Sequence, residues 1–235
     1  VITPVSVGTA IITATQAAVA GVNAQATQTY TLTVNALPNP TLTYATPTSA
    51  SVTMGGSLTN AATSNYTGGS YGAISYASSA TGVATVSSSG VITPVSVGTA
   101  IITATQAAVA GVNAQATQTY TLTVNPSTDA NLSGLTLSSG ALTPGFSSGT
   151  ITYSQSVANS VSSITLTPTV NQANATVRVN GAAVTSGSAS SSINLSLGAN
   201  TITTVVTAQD GTQKTYVTTV TRVASNVAEL SNLFV

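Results

Sequence analysis

Alternation of polar and apolar residues predicts the strands of this chain. Between Thr119 and Val124, three threonines alternate with Tyr120, Leu122 and Val124. Because successive side chains of a strand point to opposite faces, this pattern predicts a half-buried antiparallel strand with hydroxyl groups on its outer face. Similar short runs occupy residues 41–46, 82–87, 91–97, 99–105, 151–157, 164–170, 176–179, 193–197, 201–207 and 216–222.

Turn signals separate these runs. A residue with positive φ is accommodated at dipeptides of this kind, which are Gly55-Gly56, Ser89-Gly90, Pro144-Gly145, Asn180-Gly181 and Asp210-Gly211. No segment has the apolar period of a helix over a useful length. Many short strands at this spacing are typical of β-sandwiches, so we predict an all-β fold with negligible helix.

The chain is a repeat array. Residues 1–35 recur without a change as residues 91–125, at an offset of 90 positions. A period of this size is that of one small β module, and tandem modules serve as spacers, stalks or assembly units. Since Val1 falls in the middle of a repeat, we expect the sequence to be a part of a longer chain whose targeting signals lie outside it.

Charge changes the picture of function. The 235 residues carry three Lys or Arg, three Asp or Glu, no His and no Cys, and no charge precedes Asp129. Nucleic acid and anionic lipid are excluded as partners because both need clustered basic residues. No apolar run reaches the roughly 18 residues of a membrane span. Catalytic bases and paired carboxylates are missing as well, so we predict no enzyme, no cofactor and no high-affinity metal site.

The three carboxylates are the only candidate metal ligands. They are Asp129, Asp210 and Glu229. Calcium takes several oxygen ligands, so we expect metal-free module junctions, although a lone ligand at Asp129 or Glu229 aided by backbone carbonyls stays open as an alternative. Asp210, followed by Gly211 and then Lys214, is expected to form a hairpin turn in which its carboxylate accepts from local backbone amides.

The other polar candidates have simple interpretations. Arg178 and Arg222 lie in predicted strands, and we expect ordinary surface or module-edge charges there rather than ligand contacts. Glycosylation triplets begin at Asn65, Asn131, Asn174 and Asn194, which chance explains in a chain so rich in Thr and Ser. The row of Thr29, Thr31 and Thr33 suits ice or carbohydrate binding, but we favour the solvent face of an ordinary strand.

One stretch resembles a known family. Residues Gly82 to Ala104 read GVATVSSSGVITPVSVGTAIITA: a strand, a Ser-Gly turn, a second strand, and Gly-Thr-Ala opening a third. This is similar to the signature of the group 2 bacterial immunoglobulin-like domain. The resemblance implies one complete module over residues 38–125, and residues 1–37 resemble the C-terminal part of a preceding copy.

A different resemblance begins at Asp129. Its elements are Leu132-Ser-Gly-Leu-Thr-Leu-Ser, Leu142-Thr-Pro-Gly-Phe, Tyr153, Gly198-Ala-Asn-Thr-Ile, Asp210-Gly-Thr-Gln-Lys-Thr-Tyr and Thr221-Arg222. In this order they resemble the bacterial cadherin-like β-sandwich domain, which implies a module over residues 126–223. Residues 228–233 align with residues 130–135, so residues 224–235 are expected to begin a further module. The predicted fold class is therefore all-β, with tandem immunoglobulin-like and cadherin-like β-sandwiches in series.

The two resemblances imply a large modular protein, extracellular or on the bacterial cell surface. We predict a structural repeat segment of a fibre, stalk or surface protein that transmits load through antiparallel ladders. Its partners would be neighbouring copies or adjacent modules, since few charges guard its strand edges. The alternative is an adhesin module that binds a glycan, ice or a host surface.

The first 35 residues raise a separate expectation. In a strand at residues 30–34, the side chains of Tyr30, Leu32 and Val34 share one face, which would be buried only against strands that this sequence lacks. Such a half module is left with open edges and an exposed apolar side. If it is ordered, we expect a neighbour to complete it: either an upstream part of the same polypeptide or a strand donated by an adjacent subunit.

Overall fold

The computed structural model describes residues 1–36, 38–66, 71–110 and 112–225. These residues contain no helix, and so no helix long and apolar enough to cross a membrane. The predicted all-β fold is confirmed. Most of the further module predicted at residues 224–235, including Glu229, lies outside the described residues.

The strands are β1 Gly8–Gln16, β2 Ala26–Val34, β3 Leu42–Tyr44, β4 Ser49–Thr53, β5 Leu58–Thr59, β6 Ala62–Ser64, β7 Ile74–Ser78, β8 Ala84–Val86, β9 Val91–Pro94, β10 Gly98–Gln106, β11 Ala116–Asn125, β12 Leu132–Leu137, β13 Thr152–Val157, β14 Ser163–Ile164, β15 Leu166–Val170, β16 Thr176–Val179, β17 Ala182–Val184, β18 Ile193–Asn194, β19 Gly198–Thr207 and β20 Gln213–Arg222.

Strands β1 and β2 form a two-stranded sheet by themselves. Their antiparallel ladder runs without a break from the pair Gly8 and Val34 to the pair Gln16 and Ala26. An isolated bridge between Val19 and Asn23 closes the connection between the strands. This first hairpin has no third strand on either edge in the described part of the chain.

Strands β3 to β11 form three sheets around a shared set of buried side chains. The sheet orders are β4-β11-β10-β7, β3-β6 and β5-β9-β8. The rings of Tyr44 and Tyr120 meet edge to face in this core, with centroids 4.7 Å apart. The core side chains are Leu42, Tyr44, Val52, Ala62, Ala84, Ile92, Ala100, Ile102, Ala104, Tyr120, Leu122 and Val124. Strands β3 to β11 and this core are those of a β-sandwich.

Strands β12 to β20 form a second sandwich. A five-stranded sheet has the order β13-β20-β19-β16-β17, and β12-β15 and β14-β18 supply two-stranded sheets. Its centre includes Tyr216, which is fully buried and whose hydroxyl accepts a hydrogen bond from the backbone amide of Leu132 at 3.0 Å. The largest fully buried side chains of this cluster are Leu132, Ile164, Leu166, Ile202, Val206, Tyr216 and Val220.

One ladder is parallel, whereas antiparallel pairing was predicted for the strand at Thr119 to Val124 and the runs that resemble it. Strand β13 pairs with β20 in parallel, from Thr152 beside Val217 to Val157 beside Arg222. A parallel pair needs a long crossover connection, and here the chain makes six other strands before it returns alongside β13. Alternation of polar and apolar residues indicates which face of a strand is buried, but it does not indicate the direction of the neighbouring strand.

Most predicted turns are present. Gly55, Gly90 and Gly211 have φ angles of 85°, 79° and 94°, and at Asn180-Gly181 both residues have positive φ, at 47° and 82°. Gly90 cannot be replaced without movement, because a Cβ there would lie 2.9 Å from the Cα of Ala61. The expectation at Pro144-Gly145 is wrong. That glycine is not among the residues with positive φ, and the peptide bond before the proline is cis.

Cα positions group the chain into two compact units. The first contains residues 1–50, 58–93 and 99–122, and the second contains residues 51–57, 94–98 and those from 123 onward. Every ladder between β3 and β20 joins strands of the same predicted module, either 38–125 or 126–223. The fold is therefore one of tandem β-sandwiches in series along the sequence.

Candidate interaction surface

One face of the first hairpin is apolar and open. Ile12 lies opposite Tyr30 in the ladder and Ala10 lies opposite Leu32, so these four side chains share a face. Tyr30 is 52% exposed, Ala10 is exposed, and Ile12 and Leu32 are partly exposed. An apolar ladder face of this kind is a candidate for contact with another polypeptide.

The same sequence is closed in its second copy. Tyr120 and Leu122 of β11, the counterparts of Tyr30 and Leu32, are 2% and 0% exposed. Ala100, Ile102 and Ala104 of β10 are buried in the same way. The difference comes from the surroundings alone, because the residues are identical.

Three kinds of contact close the second copy. Strand β7 pairs with the outer edge of β10, and β4 is the neighbour of β11 on the other edge. The ring of Tyr44 packs on the ring of Tyr120. Strand β9, formed by Val91–Pro94, pairs with β5, whereas the equivalent residues 1–4 of the first copy form no strand.

Buried polar side chains complete the closed copy. Gln106 is 2% exposed, and its Oε1 accepts from the Ser64 hydroxyl at 2.7 Å. Asn113 is fully buried and donates through Nδ2 to the carbonyl oxygens of Ala107 and Ala114, at 3.2 and 2.7 Å. Sequence reasoning missed Gln106. The signal was present, since Gln106 continues the spacing of the buried positions at Ala104 and Ile102.

The opposite face of the first hairpin is lined with threonines. Three cross-strand pairs are threonine on threonine: Thr9 with Thr33, Thr13 with Thr29, and Thr15 with Thr27. All six are exposed. The predicted row of Thr29, Thr31 and Thr33 thus lies on a polar outer face. The neighbouring row of threonines on β1 is interrupted by Ile11, which lies opposite Thr31.

Asp129, the candidate junction ligand, is engaged within its own module. Its Oδ1 accepts from the backbone amide of Asn131 at 2.9 Å and from the Asn131 Nδ2 at 2.6 Å, and its Oδ2 accepts from the Asn171 Nδ2 at 2.6 Å. The hydrogen bond from Asn171, followed by those from Asn131, holds the pKa of Asp129 below its ordinary value against the opposing effect of burial. No group of three potential metal ligands occurs in the described ranges.

Asp210 lies in the turn that the sequence predicted. Its two carboxylate oxygens accept from the backbone amide and the hydroxyl of Thr212, at 2.9 and 2.8 Å. These hydrogen bonds lower the pKa of Asp210. The carboxylate therefore stabilises the connection between β19 and β20.

The cations are bonded to protein oxygens of the second sandwich. Lys214 donates to the Oδ1 of Asn131 and to the carbonyl of Ser148, both at 2.8 Å, and lies 5.2 Å from the centre of the Tyr216 ring. Arg222 donates to the carbonyls of Asn159 and Leu195. Arg178 donates to the carbonyl of Gly181 at 2.8 Å. All three side chains thus hold loops and strand ends of their own module.

The glycosylation triplets begin at asparagines in different settings. The Asn65 Oδ1 accepts from the amide of Thr41 at 2.7 Å. Asn131 contacts both Asp129 and Lys214, and Asn194 pairs with Ser163 between β14 and β18. Asn174 is exposed. The four positions share no surface feature that indicates a common use.

A known family model matches part of the chain. Residues 132–223 match the family model of the cadherin-like beta sandwich domain. A curated relative, described as "Putative membrane protein" of Evansella cellulosilytica, is 40% identical over 106 residues, which is 45% of this chain and 16% of that protein. This chain therefore corresponds to a small part of that relative.

Two solved structures have lower similarity. The mouse cadherin-23 fragment EC22-24 is 14% identical, with a TM-score of 0.30 over 92% of this chain and 74% of that one. Domains 1-6 of the surface layer protein SbsC are 15% identical, with a TM-score of 0.29 over 93% of this chain and 36% of that one.

Proposed function

We propose that this chain is a structural repeat segment of a long extracellular bacterial fibre, stalk or cell-surface protein, and that it assembles through uncharged β-sandwich surfaces. The cadherin-like beta sandwich match over residues 132–223 supports a structural or surface module. In this proposal the protein is not an enzyme. Its work is mechanical and consists of holding sandwiches in a row and carrying load through their ladders.

The observation that carries the proposal is the lack of charged side chains on the strands before Asp129. Thr117 and Thr121 of β11 are exposed, as are Thr43 and Thr63, whose hydroxyls lie 2.9 Å apart across β3 and β6. Lysine and other charges on strand edges and faces normally keep β-proteins apart, and net charge near zero favours association. Hydroxyl-covered faces can instead hydrogen-bond to an identical neighbour.

Sedimentation velocity over a wide concentration range, together with electron microscopy, tests this proposal. The chain should form species larger than a monomer, and the double variant Thr117→Lys/Thr121→Lys should shift the distribution towards monomer because it adds two like charges to an outer face. Added salt should partly restore association by screening those charges. A chain that stays monomeric at every concentration would contradict the proposal.

The threonine pairs on the first hairpin favour one second candidate, an adhesin module that binds glycan, ice or a host surface. Aligned rows of hydroxyls on a flat sheet offer regular hydrogen-bonding groups to such a ligand. A glycan array and an ice-affinity assay on the wild-type chain and on Thr13→Lys distinguish the candidates. A purely structural segment gives no signal in either assay.

The finer module assignments are also proposals. We interpret residues 38–125 as a group 2 bacterial immunoglobulin-like module on the strength of the Gly82 to Ala104 pattern, with residues 1–37 as part of a preceding copy. We place the cadherin-like module at residues 126–223 and the start of another at 224–235. Limited proteolysis with mass spectrometry tests these boundaries, since cleavage should concentrate between modules rather than inside them.

A further inference from the structure

We propose that the open face of the first hairpin binds a polypeptide segment equivalent to residues 36–90, which folds onto it to complete a second immunoglobulin-like sandwich. The occupant is identified from the chain itself. Residues 91–125 have the same sequence as residues 1–35, and residues 38–90 supply the strands that cover them.

The first hairpin is already shaped for this partner. Strands β1 and β10 begin and end at equivalent residues, Gly8–Gln16 and Gly98–Gln106. The bridge between Val19 and Asn23 recurs between Val109 and Asn113. The hairpin therefore has the same local structure whether it is covered or open, and the partner meets a surface that needs little rearrangement.

The edges of the hairpin fix the register of the partner. In the closed copy, Thr103 pairs with Ala77 and Gln106 pairs with Ile74, between β10 and β7. By the identity of the repeats, Thr13 of β1 pairs with the alanine equivalent to Ala77. A strand equivalent to β4 occupies the free edge of β2, as β4 lies beside β11.

The apolar and polar groups of the open face match the same partner. Tyr30 presents the ring that, as Tyr120, meets the ring of Tyr44 at an interplanar angle of 78°. Gln16 presents the acceptor that, as Gln106, binds the hydroxyl of Ser64. A partner that lacked a serine at this position would leave the Gln16 acceptor without the hydrogen bond made in the closed copy.

Residues 36–90 of a second molecule of this chain are a poor occupant. Its strands already cover residues 91–125 of their own chain, so transfer to the first hairpin of another molecule would uncover as much apolar surface as it buries. A segment with this strand pattern and no hairpin of its own gains all of that burial.

The binding test uses the whole 235-residue chain and a synthetic polypeptide of residues 36–90. Isothermal titration calorimetry should give one polypeptide bound per chain, with new β structure in the circular dichroism spectrum. The variant Leu32→Asp should lose binding, because it places a charge in the contact face of an exposed hairpin without touching the closed sandwich. Absence of binding by wild type, or undiminished binding by Leu32→Asp, overturns the proposal.

Disulfide trapping tests the register. The protein has no cysteine, so oxidation of a chain with Thr13→Cys and a polypeptide with Ala77→Cys by oxidised glutathione gives a single kind of mixed disulfide, which directly opposite strand residues permit and which mass distinguishes from the two symmetrical dimers. The matched control is Thr103→Cys, whose partner is already in place in its own chain. Preferential trapping of Thr103→Cys would mean that the polypeptide replaces residues 36–90 in the closed sandwich, and would overturn the proposal.

Self-association provides a second check. If the chain alone forms a dimer that Leu32→Asp abolishes and that the polypeptide cannot displace, the occupant is a second copy and the proposal is wrong. The inference adds a specific assembly surface to the proposed function without depending on it. A chain that binds no polypeptide can still associate through its sandwich faces, and Thr117→Lys/Thr121→Lys affects only that second mode.

Discussion

The two copies of one 35-residue sequence differ in burial and agree in local structure. In residues 91–125 the side chains of Ile102, Tyr120 and Leu122 are at most 2% exposed, whereas Tyr30 in the first copy is 52% exposed. Both copies nevertheless form a hairpin with matching strands and the same bridge in its connection. Local sequence is therefore sufficient for the hairpin, and neighbouring strands decide whether its apolar face is core or surface.

At equivalent positions of the two copies, the same substitution can be made in the same local sequence. The largest difference is expected at the leucine pair. Leu122→Ala should lower the free energy of unfolding of residues 38–125 by about 2–5 kcal/mol, because it removes fully buried methyl groups and leaves a cavity. Leu32→Ala should change that free energy by less than about 1 kcal/mol.

Chemical denaturation monitored by hydrogen exchange of individual peptides measures both variants. The exchange readout assigns any loss of stability to the segment in which it occurs. Equal losses from Leu122→Ala and Leu32→Ala would break the comparison, since they would mean that the first hairpin is covered in the isolated chain.

How far the sequence predicts this structure depends on the strand. The alternation from Thr119 to Val124 predicts β11 and its buried face correctly. Strands β4, β6 and β7 were missed because they are short and rich in Ala, Ser and Thr, so their strand state depends on pairing with β11, β3 and β10. Within 91–97 the strand ends at Pro94, which has no amide hydrogen to continue a ladder.

The open surface was predictable and the polar contacts were not. The sequence places Tyr30, Leu32 and Val34 on one face, and among the described strands none pairs with either edge of β1 and β2. Which buried polar group would find which partner depends on residues far apart in the chain, as for Gln106 and Ser64. Single-sequence patterns contain no information on such pairs.

The glutamine pair is expected to give the next largest difference. Gln106→Leu removes the acceptor of the partly buried Ser64 hydroxyl, and loss of such a hydrogen bond costs about 0.5–1.5 kcal/mol. Gln16→Leu changes an exposed residue and should leave the unfolding free energy of residues 38–125 unchanged. Denaturant unfolding of the two variants side by side measures the effect, and a loss confined to Gln16→Leu would refute the assignment of the buried role to the second copy.

The two sandwiches should differ in their response to acid. The folded pKa of Asp129 lies below its unfolded value, so its stabilisation is complete above the unfolded pKa of about 3.9 and is lost as pH falls through the folded pKa. Residues 126–223 should therefore lose stability in acid, and Asp129→Asn should reduce that loss. Residues 38–125 contain no Asp, Glu, His, Lys or Arg.

Hydrogen exchange between neutral pH and about pH 2, corrected for the intrinsic exchange rate, compares the two segments in one sample. Protection in residues 38–125 is expected to stay constant. The control is Asp210→Asn, which leaves the Asp129 hydrogen bonds in place and should retain their share of the acid response. Equal acid sensitivity in both segments would contradict the charge argument.

The outer faces of the two copies should give the smallest difference. Thr29 and Thr119 are equivalent, and both side chains are exposed. Thr29→Lys and Thr119→Lys should each change the free energy of unfolding of residues 38–125 by no more than about 0.5 kcal/mol, because neither removes a buried contact. Thermal unfolding measures both. A large cost for Thr119→Lys alone would mean that the outer face of β11 is itself covered in solution, as it would be in an assembly that packs neighbouring chains through their threonine faces.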